Sequence, residues 1–112
     1  MKKGILVLFY LFGFFYLWSQ DNVLSYIISG TVTDSLGIPV SGATVVLRFF
    51  DTDSANVVAW GVTNERGAFV LKSEAGHYVL NVRFTGYKDW NEQIQVSGNL
   101  TTPTVILEED VQ

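Results

Sequence analysis

Residues 26–50 read YIISGTVTDSLGIPVSGATVVLRFF and hold two runs of alternating side chains on either side of a turn. In the second run Val45, Leu47 and Phe49 share one face. A period of two is typical of a half-buried β-strand, because successive side chains of a strand point to opposite faces. Segment 34–39 combines an aspartate, a glycine and a proline, which favours a turn and interrupts a strand ladder. The stretch therefore predicts two short strands joined by a turn.

The alternation continues through the rest of the chain. Between residues 77 and 84, Tyr78 and Leu80 share an inward face, whereas Asn81 is expected to point to solvent. Turn signals that contain glycine separate the runs, and no stretch after Gln20 has the periodicity of a helix. Seven short strands, spaced by about 8–12 residues, predict one all-β domain: a seven-stranded antiparallel β-sandwich with immunoglobulin-like Greek-key connections. The other strand candidates contain Ile28 and Val32, residues 56–62, Phe69 and Leu71, Ile94 and Val96, and Val105 and Leu107.

The first twenty residues have the pattern of a secretory signal peptide. Lys2 and Lys3 precede fifteen residues without a charged side chain, 4–18, and Ser19 ends the run. The run is shorter than the roughly 20 apolar residues that span a bilayer, which favours a cleaved signal over a membrane helix. Leu17 fits a cleavage site poorly, so an uncleaved anchor remains the alternative. The predicted organisation is a signal peptide at 1–19, a short leader at 20–26, a domain at 27–108 and an exit segment at 109–112.

Composition excludes several classes of function. The chain has 112 residues, of which 48% are hydrophobic, and it has no cysteine. It therefore lacks a disulfide framework, a cysteine-ligated metal and a cysteine nucleophile. The formal charge is −4, and without residues 1–19 the chain carries five basic and eleven acidic residues, a charge of −6. No basic patch is visible in the sequence, which argues against a nucleic-acid partner.

Five short motifs follow one another along the predicted domain: ISGTVTD at 28–34, GIPVSGATV at 37–45, TNERGAF at 63–69, GHYVL at 76–80 and FTGYK at 84–88. In this order they resemble the carboxypeptidase regulatory-like domain, a transthyretin-like β-sandwich. The matched positions that are expected to form turns or to pack in the core are Gly30, Gly37, Pro39, Gly42, Ala43, Gly67, Phe69, Gly76, Tyr78 and Gly86. All of these roles are architectural, so the resemblance implies a fold without implying a reaction.

The resemblance also implies a setting. In exported bacterial proteins such a domain commonly follows the signal peptide of TonB-dependent outer-membrane receptors. We therefore expect a non-catalytic accessory module in the periplasm or outer membrane of a Gram-negative bacterium, with a receptor barrel as its partner in cis or in trans. Contact with the membrane is expected only through this context or through an uncleaved signal. The sequence stops at Gln112 before any plug or barrel segment, so the expectation is either a separate N-terminal piece of a receptor or a module that works alone.

The sequence offers few residues for chemistry. His77 is the sole histidine, and no spaced partner completes a metal site or a catalytic relay with it. No serine lies in a Gly-x-Ser-x-Gly motif, so a serine hydrolase is not indicated. Segment 51–54 begins like a calcium loop, but Asn56 and Val62 stand where such a loop needs glycine and glutamate, which favours a polar loop. We expect no enzyme activity and no cofactor.

Three aromatic residues are candidates for a binding face: Trp90, Tyr87 and Trp60. Exposed aromatic rings stack on sugars and anchor interfaces, so they would suit a free-standing module that binds carbohydrate or an envelope protein. The alternative interpretation places Trp60 and Tyr87 in the core of a small sandwich. A structural adhesin domain is a third possibility, but segment 27–33 has no lysine for the isopeptide bond that resembling adhesin domains form.

Overall fold

The computed structural model describes residues 24–50 and 56–111. The predicted signal peptide and most of the calcium-like loop lie outside these ranges. The described part contains eight strands and no helix, and so no helix in it could cross a membrane. The strands are β1 (Tyr26–Thr33), β2 (Thr44–Phe49), β3 (Val57–Val62), β4 (Ala68–Ser73), β5 (Gly76–Arg83), β6 (Trp90–Val96), β7 (Leu100–Thr101) and β8 (Val105–Ile106).

The strands form two sheets that pack face to face. The first sheet has the order β4-β1-β7, with β8 also paired to β1, and the second has the order β3-β2-β5-β6. The predicted all-β sandwich is confirmed, with eight strands rather than seven.

The structure differs from the predicted antiparallel sandwich at the C-terminal edge of the first sheet, which has an additional strand and is parallel to β1. β7 and β8 run parallel to β1, in the registers Ser29↔Thr101 and Val32↔Val105, whereas the other strand pairs are antiparallel. Pro103 lies between β7 and β8 and has no N–H for a ladder, which accounts for the division of this edge into two short strands. Side-chain alternation reports which way residues face and does not report the direction of the neighbouring strand.

The core lies between the sheets and is built from the inward residues of both. Val45 and Leu47 are fully buried, as the alternation predicts, and Phe69 and Tyr78 are 3% and 2% exposed. Phe49 shares their face but remains 45% exposed at the end of β2. The other core side chains are Ile28, Val32, Val40, Ala43, Leu71, Leu80, Val82, Val96, Val105 and Leu107.

Asn81 departs from its predicted solvent exposure. It points away from the core, yet it is only 4% exposed because it lies in the middle of its sheet, opposite Val46 of β2 and Asn91 of β6. Its Nδ2 donates a hydrogen bond to the Asn91 Oδ1 at 2.7 Å. A central strand can thus bury a polar side chain on its outer face when its cross-strand neighbours cover it.

Two turns are closed by side chains that accept hydrogen bonds from their own loop. Asp34 Oδ1 accepts from the backbone N–H of Leu36 at 2.8 Å, and Asn64 Oδ1 accepts from that of Arg66 at 2.9 Å. Gly67 ends the second turn with φ of +73°, and a Cβ there would collide with the carbonyl oxygen of β1. Gly37, Gly42 and Gly86 also have positive φ.

Gly30 has a different reason to be glycine. A Cβ at this position would overlap the hydroxyl of Thr102 and would lie 2.7 Å from the ring of Phe69. Close packing between β1 and the two segments beside it therefore needs a residue without a side chain. The remaining matched positions are structural too: Pro39 bridges to Thr33, Ala43 is fully buried, and a Cβ on Gly76 would lie 3.1 Å from the ring of Tyr78.

The two lateral sides of the sandwich differ. On one side β3 packs against β4, where a Cβ on Gly61 would lie 3.3 Å from the Leu71 side chain. On the other side the C-terminal segment crosses from the first sheet to the second and pairs with residues 86–88. Lys88 N–H donates to the Glu108 carbonyl at 2.8 Å, and Asp110 N–H donates to the Gly86 carbonyl at 2.9 Å. Above this strap, formed by residues 107–110, no described strand pairs β6 with β7, so this side is open within the described part of the chain.

Candidate binding surfaces

The three aromatic residues singled out in the sequence do not form one surface. Trp90 stands opposite Val82 of the core, so its half-buried side chain faces the inner side of the second sheet. Trp60 stands opposite Val46 on the outer side of the same sheet and is 67% exposed, which contradicts the interpretation that it completes the core. Tyr87 precedes β6 and packs beside Phe84, with ring centroids 5.8 Å apart.

The outer surface of β3 is an exposed apolar edge. Val57 and Val62 lie on the same side as Trp60 and are 49% and 53% exposed. No residue of β3 has a polar side chain. Two buried polar atoms of this sheet, Arg48 Nε and Asn81 Oδ1, have no hydrogen-bond partner among the described residues. This outer face combines an aromatic platform with a row of polar groups that runs towards β6.

A groove lies on the opposite side of the sandwich, between β6 and the β7–β8 edge; we call it the open groove. Its upper part is a cavity of about 200 Å³, and its lower part, next to the strap, is a cavity of about 270 Å³. Trp90 contributes to both. The upper cavity is lined by Leu80, Trp90, Glu92, Ile94, Gln95, Leu100, Thr102 and Pro103, and the lower one by Lys88, Asp89, Trp90, Asn91, Ile106, Leu107 and Glu108.

The register of β6 places three side chains along the open groove. Trp90, Glu92 and Ile94 are opposite the inward residues of β5 and alternate with residues that face outward. The walls of the upper cavity are largely apolar, whereas the lower cavity also has the charged side chains of Lys88, Asp89 and Glu108. Glu92, in the upper cavity, is exposed. Thr102, only 8% exposed, lines the facing wall, and its hydroxyl has no hydrogen-bond partner in the described part of the chain. The upper part of the groove thus offers apolar walls and the Glu92 carboxylate along a strand edge, and its lower part adds charged side chains.

A third cavity of about 360 Å³ lies near Tyr87 and the end of β5. Arg83 and Asp89 form an ion pair there, with Nε and Oδ2 3.3 Å apart and both side chains more than half exposed. Surface pairs of this kind contribute little to stability because water screens them. The other lining residues are Gly42, Thr44, Phe84, Thr85, Gly86 and Tyr87.

The described residues contain no group of three or more side chains suited to hold a metal ion. His77 is exposed, and its ring stacks on that of Phe50 with centroids 4.2 Å apart. The calcium-like segment 51–54 lies outside the described residues. What the described surface does offer is two contact regions, the outer face at Trp60 and the open groove at Trp90.

Sequence reasoning found Trp90 but missed the residues that face it. Leu100, Thr102 and Pro103 lie between the strand candidates that contain Ile94 and Val96 and Val105 and Leu107, and only the parallel pairing with β1 brings them opposite β6. Glu92 and Ile94 could have been found, because they alternate with Asn91 and Gln93 and so share a face with Trp90.

Comparison with known proteins supports the fold. The family model of the carboxypeptidase regulatory-like domain matches residues 27–108. No curated protein sequence matches the chain.

Several solved structures have a similar fold at low sequence identity. The 3-chlorocatechol 1,2-dioxygenase of Rhodococcus opacus 1CP superposes with a TM-score of 0.61 at 13% identity, covering 80% of this chain and 62% of the enzyme. For a catechol 1,2-dioxygenase of Acinetobacter radioresistens the TM-score is 0.62 at 16% identity, with coverage of 83% and 54%. A chain of the type II cohesin–X-dockerin complex of Acetivibrio cellulolyticus gives 0.58 at 20% identity, with coverage of 75% and 58%. This chain thus spans less than two thirds of each of these proteins, and the likeness concerns the fold alone.

Proposed function

The chain belongs to the carboxypeptidase regulatory-like domain family, and on that premise we propose that it is a non-catalytic, exported accessory domain that acts by contact with a larger protein of the cell envelope. One observation carries this proposal. The matched residues are placed in turns and in the core, as with the positive φ of Gly67 and the burial of Phe69 and Tyr78. What is left for function is surface, and surface suits binding rather than a reaction.

We also propose a specific partner for this domain. The basic start, the apolar run 4–18 and the domain that follows have the order expected of the N-terminal periplasmic domain of a TonB-dependent outer-membrane receptor for nutrient uptake, or of a separate partner to one. The excess of acidic residues in the domain is compatible with this setting and does not favour nucleic acid.

Fractionation of the source cells tests this proposal. An antibody against residues 21–112 is used to follow the native polypeptide in the cytoplasmic, periplasmic and outer-membrane fractions. We expect the signal in the envelope, together with a barrel protein recovered after chemical crosslinking. A band far above 12.5 kDa would identify a domain of a larger receptor, and a band slightly below it would identify a processed separate partner. Recovery in the cytoplasm with Met1 retained would refute export.

A second candidate function is favoured by the exposure of Trp60. An indole that is 67% exposed on a sheet face can stack on a sugar ring, which supports an envelope module that binds carbohydrate. The test compares glycan-array binding of the unaltered chain with that of Trp60→Ala. Leu36→Ala is the matched control, because Leu36 is 82% exposed in the first turn, away from this face. Binding that is lost only in Trp60→Ala would support this function, and absence of binding to every glycan would exclude it.

A further inference from the structure

We propose that the open groove is a docking site for an extended segment of a partner protein, which adds as a strand to the free edge of β6 and presents a lysine or arginine to Glu92. The inference deepens the proposed function, since an accessory domain that acts by contact needs a surface for its partner. It assigns that surface, the mode of pairing and the charge of the partner segment.

The partner segment would add at the edge of β6 that faces away from β5. Among the described residues β6 pairs only with β5, and the pairing is regular through all seven residues, from Gly76↔Val96 to Val82↔Trp90. An edge strand leaves a row of N–H and C=O groups that another chain can pair with. The edge at β3 is less suitable, because its register shifts between Leu47 and Arg48 and β3 packs against β4.

A strand added to this edge would cover the open groove. A neighbouring strand runs about 4.8 Å from β6, which places it over the mouth of the open groove. Its inward side chains would stand opposite Trp90, Glu92 and Ile94. The two cavities of about 200 and 270 Å³ are smaller than pockets for drug-sized ligands, which measure roughly 300–1,000 Å³, and so they suit single side chains. The groove therefore accepts alternate residues of an extended peptide.

The open groove lies in an acidic part of the chain. Between residues 88 and 110 the chain has five acidic residues and a single basic one, Lys88, which pairs with Glu108 at 3.8 Å. Asp89 pairs with Arg83, whereas Glu92 has no ion-pair partner among the described residues. Residues directly opposite on antiparallel strands have Cβ atoms about 4.5–5.5 Å apart, within reach of a salt bridge. A basic side chain opposite Glu92, flanked by apolar ones, therefore complements the groove.

The test uses two synthetic peptides and the ¹⁵N-labelled chain without the predicted signal peptide, residues 1–19. The first peptide, acetyl-Thr-Val-Thr-Lys-Thr-Val-Thr-amide, places Val, Lys and Val on one face, and the second has glutamate instead of lysine. Each is titrated while amide resonances are followed by NMR. We expect the lysine peptide to shift the resonances of residues 90–96 and 100–102 and to bind about three- to tenfold more tightly than the glutamate peptide.

A charge reversal gives the decisive comparison. Glu92→Lys is expected to invert the preference between the peptides, and Glu92→Gln to remove it. Glu65→Lys is the matched control, since Glu65 is exposed in the turn between β3 and β4, and this variant should keep the original preference. Glu92 is itself exposed, so these changes leave the core intact. An unchanged preference in Glu92→Lys would overturn the proposal.

The remaining outcomes each refute the docking site in a different way. Shifts confined to residues 57–62 would place strand addition at β3. Shifts in β6 that depend on protein concentration without peptide would identify a second copy as the occupant, and shifts in β6 with saccharides alone would identify a sugar site. The absence of any shift would exclude a peptide site. None of these results bears on cell fractionation, so failure of the groove and failure of the proposed location are distinguishable.

Discussion

Replacement of Thr63 by valine tests how the segment from Val40 to Ala43, which leads into β2, is attached to the rest of the sandwich. Thr63 is 4% exposed, and its hydroxyl donates to the carbonyl of Val40 at 2.7 Å and accepts from the N–H of Ala43 at 2.9 Å. Valine keeps the shape of the side chain but removes both hydrogen bonds. A buried polar group left without its partner costs about 1–3 kcal/mol. With two groups affected, we expect the free energy of unfolding to fall by about 2–4 kcal/mol.

The assay is urea unfolding followed by tryptophan fluorescence, with stability taken from the midpoint at a constant slope. For a domain of this size a loss of 1 kcal/mol lowers Tm by about 4–8 °C, so Thr63→Val should lower it by about 8–32 °C. Thr63→Ser retains the hydroxyl and should cost only about 1 kcal/mol for the lost methyl group. Thr101→Val, on an exposed residue, should change stability by less than about 0.5 kcal/mol. A loss for Thr63→Val no larger than for Thr101→Val would refute the reasoning.

Three further substitutions test other features. Gly67→Ala should destabilise the domain by more than about 2 kcal/mol in urea unfolding, because the new Cβ would collide with backbone atoms and the positive φ is unfavourable for alanine. Gly37→Ala should cost only about 1 kcal/mol, because at φ of +81° its Cβ would have nothing within 4 Å. Equal losses for the two glycines would contradict this account. Trp60→Thr should leave the urea midpoint nearly unchanged and should lower light scattering at high protein concentration, since it interrupts an apolar edge strand. Unchanged scattering would show that this edge does not promote self-association. Arg83→Gln removes an exposed ion pair with Asp89 and should cost less than about 0.5 kcal/mol, a difference that added salt reduces further; a larger, salt-independent loss would show a packing role.

The sequence predicts the strands well because alternation depends on burial, which side chains record directly. Val45 and Leu47, and Tyr78 and Leu80, are buried as the pattern indicates. The turns are also readable, because the Asp34 and Asn64 side chains bond to their own loops.

Features that depend on distant segments could not be predicted in the same way. Asn81 is buried by neighbours on β2 and β6, and the pattern of its own strand does not contain them. The parallel pairing of residues 100–106 with β1 likewise depends on the arrangement of the whole sheet and not on the local sequence.

The candidate binding surfaces, like the fold, could be predicted only in part from the sequence. Trp60 lies in an apolar run and Trp90 among polar residues, so the sequence alone favours burial of Trp60 and exposure of Trp90, whereas the structure exposes Trp60 and half-buries Trp90. The register decides the matter, because Trp60 stands opposite an outer residue of β2 and Trp90 opposite an inner residue of β5. The open groove needs the further fact that Leu100 and Thr102 lie across from β6.

The parallel pairing of β1 with β7 and β8 has a mechanical consequence. Tyr26 lies at one end of the first sheet, and Ile106, beside Thr33, lies near the other end. Tension applied at these two residues therefore pulls the strands past each other lengthwise. Their hydrogen bonds cross between the strands, so they are loaded together in shear and cannot be peeled apart one at a time. A domain with this strand arrangement resists stretching along the chain better than the few residue pairs of β7 and β8 with β1 would suggest.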